Sequence, residues 1–147
     1  MPSDWNRWFL GLAQYVSTAS KDPSTKVGAV IVDADRRVVS VGYNGLPRGV
    51  EDSEERLHNR EVKYKMIMHA ERNAILFAQR SLKDCALYVY PMMPCASCAS
   101  MVIQSGIRRV VAPLSHNPRW QQDIELSTQL FREANVEVVI CDHESPV

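Results

Sequence analysis

Apolar side chains recur at three- and four-residue intervals near the start of the chain, which is the spacing of one face of a helix. They are Trp5, Trp8, Phe9, Leu12 and Val16. Ser3 or Asp4 is suited to cap this helix, because a short polar side chain accepts hydrogen bonds from the unpaired N–H groups at a helix start. The pattern predicts an amphipathic helix from Trp5 to Val16.

Short apolar runs further along the chain predict strands. Val27 to Val32 is typical of a buried strand, and Val38 to Tyr43 predicts a second one. The turn-like segment Asp33-Ala34-Asp35 separates the two, so we expect a hairpin. Three more strands are predicted at Leu87 to Tyr90, Ile107 to Ala112 and Val136 to Ile140.

Later segments have helical spacing. Helices are expected from Ala70 to Gln79 and from Cys95 to Gln104, the second ending near Gly106. The highly charged stretch from Glu51 to Lys65 indicates a loop or a solvated helix. One further amphipathic helix carries Ile124, Leu126, Leu130 and Phe131.

The predicted order α-β-β-α-β-α-β-α-β indicates a layered α/β domain with a mixed sheet of five strands. A chain of 147 residues with 46% hydrophobic content can bury one core and is short for two domains. We therefore expect a single domain over residues 1–147.

The charge balance narrows the range of partners. Seventeen basic residues match seventeen acidic ones, so no broad positive field is available for polymeric nucleic acid. No apolar run is long enough to span a bilayer, and the first residues lack the pattern of a secretion signal. We expect a cytoplasmic protein without a membrane partner, in which Cys85 and Cys141 are reduced core residues.

Candidate metal chemistry is concentrated in two short motifs. His69 and the pair Cys95 and Cys98 supply one imidazole and two thiolates, a donor set that suits zinc and leaves a fourth position open for water. The alternatives are a closed structural zinc site or two core cysteines. A closed site needs a fourth protein ligand, and the other candidates show no second paired spacing; they are Cys85, Cys141, His58, His116 and His143.

Glu71 lies two residues after His69 and is a candidate proton carrier. An isolated glutamate in the first turn of a helix is usually a solvated residue, but this one adjoins a predicted metal ligand. Zinc lowers the pKa of bound water to near ~7, so a neighbouring carboxylate can take its proton. The hypothesis is that Glu71 takes a proton from that water and passes it to a ring nitrogen, that hydroxide attacks the amine-bearing carbon, and that Glu71 finally protonates the departing ammonia.

With these motifs the sequence resembles the cytidine/deoxycytidylate deaminase superfamily, and its deoxycytidylate (dCMP) deaminase branch most closely. The zinc motif identifies the superfamily, and the GYNG-x-P-x-G segment points to the nucleotide branch. Cytidine deaminases have a cysteine where His69 stands and fit less well. The resemblance is carried by residues 22–29 (DPSTKVGA), 42–47 (GYNGLP), 63–64 (KY), 69–75 (HAERNAI), 94–98 (PCASC) and 104–107 (QSGI).

The resemblance implies a three-layer α/β/α cytidine-deaminase-like fold, a catalytic zinc, and hydrolysis of dCMP to dUMP and ammonia, which supplies dUMP for thymidylate synthesis. It also implies a homo-oligomer, commonly a hexamer, and regulation by dCTP and dTTP. Many relatives hold another zinc in an insertion before the HAE motif. Between Gly45 and His69 this chain has only His58 as a candidate ligand, so we expect one zinc per subunit.

By the same resemblance, Asn44 helps to hold the sugar, Val27 and Ala29 line the base pocket, and the Ala70 backbone reads the pyrimidine edge. Pro94 and Tyr64 complete the predicted substrate contacts. The residue types alone leave alternatives open, because Asn44-Gly45 also favours a hairpin turn and Val27 to Ala29 is also a plain buried strand.

Other side chains have no assigned role at this stage. Tyr64, Tyr90 and Trp120 are aromatic candidates for covering a base or for packing. His116 and His143 are expected on the surface. The basic residues that could bind a phosphate include Arg48, Arg56, Arg60, Lys63 and Lys65, and none of them is singled out.

Two other functions are consistent with the motifs. One keeps the chemistry and changes the substrate to dCTP, a modified cytosine nucleotide or adenosine in transfer RNA. The other is a non-catalytic zinc-binding or nucleotide-binding module. Glu71 argues against the module, because a structural ion has no use for a neighbouring base.

Overall fold

The computed structural model describes residues 4–141, which form a single five-stranded sheet with helices on both faces. The helices are α1 (Trp5–Ser17), α2 (Glu54–His58), α3 (Arg60–Met66), α4 (Ala70–Ala78), α5 (Ala96–Gln104) and α6 (Pro118–Glu133). The strands are β1 (Gly28–Val32), β2 (Val38–Tyr43), β3 (Ala86–Tyr90), β4 (Arg109–Pro113) and β5 (Glu137–Cys141).

The sheet has the strand order β2-β1-β3-β4-β5. Strand β1 runs antiparallel to β2 and to β3, whereas β3, β4 and β5 are parallel. Helix α1 packs on one face, and α4, α5 and α6 pack on the other. The predicted hairpin, the mixed sheet and the three-layer α/β/α fold are confirmed.

The two faces of the sheet bury separate cores, and β1 contributes to both. Val30 and Val32 pack under α1 with Phe9, whereas Ala29 and Ile31 pack on the α4 side. Successive side chains of a strand point to opposite faces, so a strand covered on both sides is apolar at every position. This explains why the first strand is a continuous apolar run.

Several element boundaries differ from the predicted ones. The charged stretch forms two short helices, capped by Ser53 and Asn59, so it is neither a plain loop nor one helix. Strand β4 begins at Arg109 rather than at Ile107, whose side chain is nonetheless buried in the core. Asp4 caps α1 by accepting a bond from the Arg7 backbone, and the alternative cap Ser3 lies outside the described residues.

Helix α4 lies unusually close to β2. A Cβ atom placed on Gly42 would lie 2.5 Å from both the Ala70 carbonyl oxygen and the Ala74 nitrogen, so only glycine allows this approach. The Ser40 hydroxyl also donates a hydrogen bond of 2.7 Å to the Ala74 carbonyl. These contacts fix the start of α4 against the sheet.

Among residues 4–141, no helix combines the length and the apolar character that crossing a bilayer requires.

Candidate metal centre and active-site cavity

The predicted metal donors lie at the starts of two neighbouring helices. His69 is the N-cap of α4, and its carbonyl accepts the first helical hydrogen bond, from Asn73. Cys95 is the N-cap of α5 rather than its first residue, and Cys98 follows in the first turn. Neither side chain makes a capping hydrogen bond, and both belong to the group of converging donors.

The segment before His69 is also held in place. Met68 forms an isolated β-bridge with Gly45, with backbone hydrogen bonds of 2.8 and 3.1 Å in the two directions. On the other side of the site, Arg72 of α4 donates a hydrogen bond of 2.8 Å to the Ser97 hydroxyl of α5. The two helix starts are therefore tied to the sheet and to each other.

The donor atoms converge as a zinc site requires. His69 Nδ1 lies 3.1 Å from Cys98 Sγ and 3.6 Å from Cys95 Sγ, and the three donors all lie within 4.8 Å of one another. A tetrahedral zinc ion separates a nitrogen donor from a sulfur donor by roughly 3.6 Å, given Zn–N and Zn–S distances of about 2.1 and 2.3 Å. The spacing and the nitrogen and sulfur chemistry fit zinc, and within residues 4–141 the group has no fourth protein donor.

Hydrogen bonds prepare the donors for a metal. The pKa of Cys95 is lowered to about 3, mainly by its bond with the Cys98 thiol and further by its bonds with His69 and Ser97. The pKa of Cys98 is raised by the same bond to Cys95 and by burial. The hydrogen bonds therefore favour the thiolate at Cys95, and a metal that binds both sulfur atoms would displace a proton from Cys98.

Glu71 is buried in the first turn of α4, with a relative exposure of 4%. It lines the same cavity as His69 and Cys95. Burial is the main cause that raises the pKa of the Glu71 carboxyl. This burial excludes the interpretation of a solvated surface glutamate, and the role of proton carrier stays a prediction.

The cavity has a volume of about 330 Å³. Four residues that were predicted to contact the substrate line it: Val27, Asn44, Tyr64 and Ala70. The other two predicted contacts, Ala29 and Pro94, are fully buried and do not belong to the lining. Ala29 packs into the core on the α4 side.

Asn44 is held by hydrogen bonds within the protein. Its Oδ1 accepts a bond of 2.9 Å from the Val27 backbone, and its Nδ2 donates to the Thr25 carbonyl at 2.9 Å and to Asp22 at 3.4 Å. Asn44 therefore fixes the loop between α1 and β1 as one wall of the cavity.

A buried ion pair joins that wall to α3. Lys63 Nζ lies 3.1 Å from Asp22 Oδ1 and donates a second hydrogen bond, of 3.2 Å, to the Ser24 hydroxyl. Both charged side chains are 6% exposed. The same Asp22 oxygen accepts hydrogen bonds from the backbone N–H groups of Ser24 and Thr25. One carboxylate therefore connects the loop between α1 and β1 to α3.

The start of α6 supplies cavity residues that the sequence analysis missed or left open. Arg119 and Asp123 were not predicted, and Trp120 was only an aromatic candidate. Asn117 followed by Pro118 is a typical N-cap and first helical residue, and this signal places Arg119 and Trp120 in the first turn. Met92 and Met93 also line the cavity without having been predicted.

The remaining candidates lie elsewhere. The Tyr90 hydroxyl accepts a hydrogen bond from Gln14 of α1 and is not part of the lining. His116 is exposed, as predicted, and His143 lies outside the described residues. Cys85 is buried in the core and Cys141 is half-buried at the end of β5.

The α/β/α fold, the histidine and two cysteine donors at helix starts and the adjacent buried glutamate define the class of zinc-dependent hydrolytic deaminases. The chain matches the model of the cytidine and deoxycytidylate deaminase zinc-binding region over residues 3–114 and belongs to this family.

Individual relatives agree with this assignment. An uncharacterized deaminase of Aliivibrio fischeri is 46% identical over 141 residues, which cover 94% of each chain. The deoxycytidylate deaminase of Mus musculus is 38% identical over 90% of this chain and 77% of its own. The dCMP deaminase of the cyanophage S-TIM5, solved in complex with dCMP and dUMP, has a TM-score of 0.75 and 25% identity, covering 96% of this chain and 99% of that one.

The buried ion pair makes a specific prediction for stability. Replacing Lys63 by methionine leaves the Asp22 carboxylate buried without its counter-charge, so we expect the free energy of unfolding to fall by about 3 kcal/mol. Lys65→Met is the matched control on α3, because the Lys65–Glu61 pair is exposed at 3.9 Å and such pairs contribute little. Denaturant unfolding of both variants measures the difference, and equal losses would contradict the role assigned to Lys63.

Proposed function

We propose that this protein catalyses the zinc-dependent hydrolytic deamination of dCMP to dUMP and ammonia. The observation that carries the proposal is the convergence of His69, Cys95 and Cys98 beside the buried Glu71 in one cavity. The relatives support the substrate assignment, since they include a deoxycytidylate deaminase and a cyanophage enzyme bound to dCMP and dUMP.

In this proposal one zinc ion per chain is held by His69 Nδ1 and the sulfur atoms of Cys95 and Cys98. Bound there, zinc supplies Lewis-acid chemistry that lowers the pKa of a water molecule to about 7.

Glu71 carries the protons of the reaction. It accepts a proton from the attacking water and passes it to the ring nitrogen next to the amine-bearing carbon. It then takes the second proton of that water, from the hydroxyl now bonded to this carbon, and gives it to the departing amine; the carbonyl forms, the C–N bond breaks, and water and dCMP give dUMP and ammonia. Its burial keeps bulk water away from these transfers, and its position next to His69 places it beside the reacting centre.

The cavity walls hold the nucleotide. We assign the base to the space bounded by Val27, Trp120 and the Ala70 backbone, which all line the cavity next to Glu71. Asn44 forms the wall where the sugar lies, with Tyr64 further out. Ala29 and Pro94 support these walls from the core.

Assembly, regulation and location stay predictions from the family resemblance. They are a homo-oligomer with a hexamer favoured, control by dCTP and dTTP, and a cytoplasmic location.

A substrate panel tests the proposed activity. We expect ammonia release and a change in base absorbance with dCMP, and much less with dCTP, a modified cytosine nucleotide, AMP or a transfer RNA anticodon stem-loop. Enzyme-coupled ammonia detection and ultraviolet difference spectra measure both. A clear preference for another member of the panel would replace dCMP as the substrate, and inactivity toward all of them in zinc-loaded protein would favour a binding module.

The variant Glu71→Gln tests the proton carrier. We expect about one zinc per chain, as in the unmodified protein, and a kcat lower by at least ~100-fold, because the amide cannot accept the proton. Metal content is measured by plasma mass spectrometry and kcat with dCMP.

Two variants serve as comparisons in that experiment. Glu125→Gln makes the same change at an exposed position of α6 and should retain kcat. Cys98→Ala should lose zinc and activity together, since two donors remain. Substantial turnover by zinc-loaded Glu71→Gln would remove Glu71 from the mechanism.

A further inference from the structure

The open end of the active-site cavity carries a cation that no described carboxylate neutralises. Arg119 lies in the first turn of α6 and lines the cavity together with His69 and Glu71. Its side chain is exposed and Tyr64 beside it is 54% exposed, whereas Glu71 is buried, so Arg119 and Tyr64 lie at the solvent side. None of the ion pairs formed among residues 4–141 involves Arg119.

Two aromatic residues hold the guanidinium. Arg119 donates a hydrogen bond of 2.8 Å to the Tyr64 hydroxyl, and its Cζ lies 4.9 Å from the centre of the Trp120 ring. An arginine has five N–H donors in a planar fork, so the bond to Tyr64 leaves the others available to a ligand. The Tyr64 hydroxyl accepts from Arg119 and can donate its own proton to the same ligand.

The other basic candidates each have a partner, and Arg60 shares Tyr64 with Arg119. Lys63 also lines the cavity, but it is buried in its ion pair with Asp22 and bonds to Ser24. The remaining basic candidates lie outside the lining. Arg48 lies over the Phe77 ring, Arg56 donates to the Glu51 carbonyl, Arg60 lies over the Tyr64 ring, and Lys65 pairs with Glu61.

The acidic side chains of the cavity do not cancel the charge of Arg119. Asp22 is neutralised by Lys63. Asp123 Oδ2 accepts a hydrogen bond of 3.0 Å from the Ala96 backbone at the start of α5, which directs this carboxylate toward the metal-binding helix. Arg119 is therefore the basic residue of the cavity lining that no carboxylate neutralises and that is available to an anionic ligand.

We propose that Arg119, positioned by the Tyr64 hydroxyl and the Trp120 ring, binds the 5′-phosphate of the substrate and makes the enzyme select the nucleotide over the nucleoside. The inference rests on the proposed function, because the base and the amine must occupy the inner end near Glu71 for the phosphate to reach the outer end. The planar fork of arginine matches phosphate oxygens, and charge-assisted hydrogen bonds of this kind are the stronger ones.

The test compares dCMP with deoxycytidine, which lacks only the phosphate. In Arg119→Gln we expect kcat/KM for dCMP to fall by about 10- to 100-fold, mainly through KM, since one charged contact has been removed. The value for deoxycytidine should not change. Arg119→Lys keeps the charge and loses the planar fork, so its kcat/KM for dCMP should lie between the values of the unmodified protein and of Arg119→Gln.

Binding of the product gives a readout that does not depend on turnover. Calorimetry of dUMP with zinc-loaded protein should show about 10- to 100-fold weaker binding to Arg119→Gln. Deoxyuridine should bind both proteins equally. Arg132→Gln makes the same substitution at an exposed position in the last turn of α6, outside the cavity, and should behave as the unmodified protein.

The outcomes separate this inference from the function on which it rests. An unchanged ratio of dCMP to deoxycytidine activity, or unchanged dUMP affinity, in Arg119→Gln would overturn the role of Arg119 while dCMP deamination stands. Equal losses for nucleotide and nucleoside would show a structural role instead and would also overturn it. Unmodified enzyme that does not deaminate dCMP would overturn the proposed function, and dUMP calorimetry would still decide whether Arg119 binds the phosphate.

Discussion

The site depends on one constraint, which is that two helices begin side by side so that three donor atoms meet within bonding distance of one ion. His69 is the N-cap residue of α4, and Cys95 is the N-cap residue of α5. Metal–ligand bonds tolerate errors of only about 0.2 Å, so the backbone must be fixed before the metal arrives. The close approach at Gly42, the bridge between Gly45 and Met68, and the bond from Arg72 to Ser97 each remove one way for the helices to shift.

The same arrangement sets the electrostatics of the site. Helix starts present unpaired N–H groups and the positive end of the helix dipole, and both favour a thiolate over a thiol. Glu71, in the first turn of α4, lies in the low-polarity interior that the sheet and α5 create, and burial raises its pKa. A carboxyl that is costly to ionise, next to a centre that lowers the pKa of water, is suited to receiving and returning a proton.

The parts of the fold and of the site that depend on local sequence were predictable. The donors, Glu71 and the helix starts follow from a motif of short range, and the first strand follows from its apolar run. The parts that depend on distant contacts were not. Asp22 and Lys63 are 41 positions apart in the sequence, and nothing in either segment indicates that they form a buried pair.

Val27 and Ala29 are a second case in which the sequence does not indicate a distant contact. Alternation along a strand places both side chains on one face, but it does not tell where the covering helix ends. Helix α4 covers Ala29 and leaves Val27 at the cavity. Arg119 could have been found, because the Asn117-Pro118 signal locates the start of α6, but its approach to Tyr64 of α3 required the three-dimensional structure.

The most direct measurement of the central claim is the zinc K-edge X-ray absorption spectrum of the purified protein. The account predicts one zinc site with two sulfur neighbours at about 2.3 Å and two lighter neighbours at about 2.0 to 2.1 Å, one from His69 and one from an exchangeable ligand. The number or the distance of the lighter neighbours should change when dUMP is added, because one of them is exchangeable. A shell of three or four sulfur atoms, or a spectrum that no nucleotide alters, would contradict a reactive centre built from His69, Cys95 and Cys98.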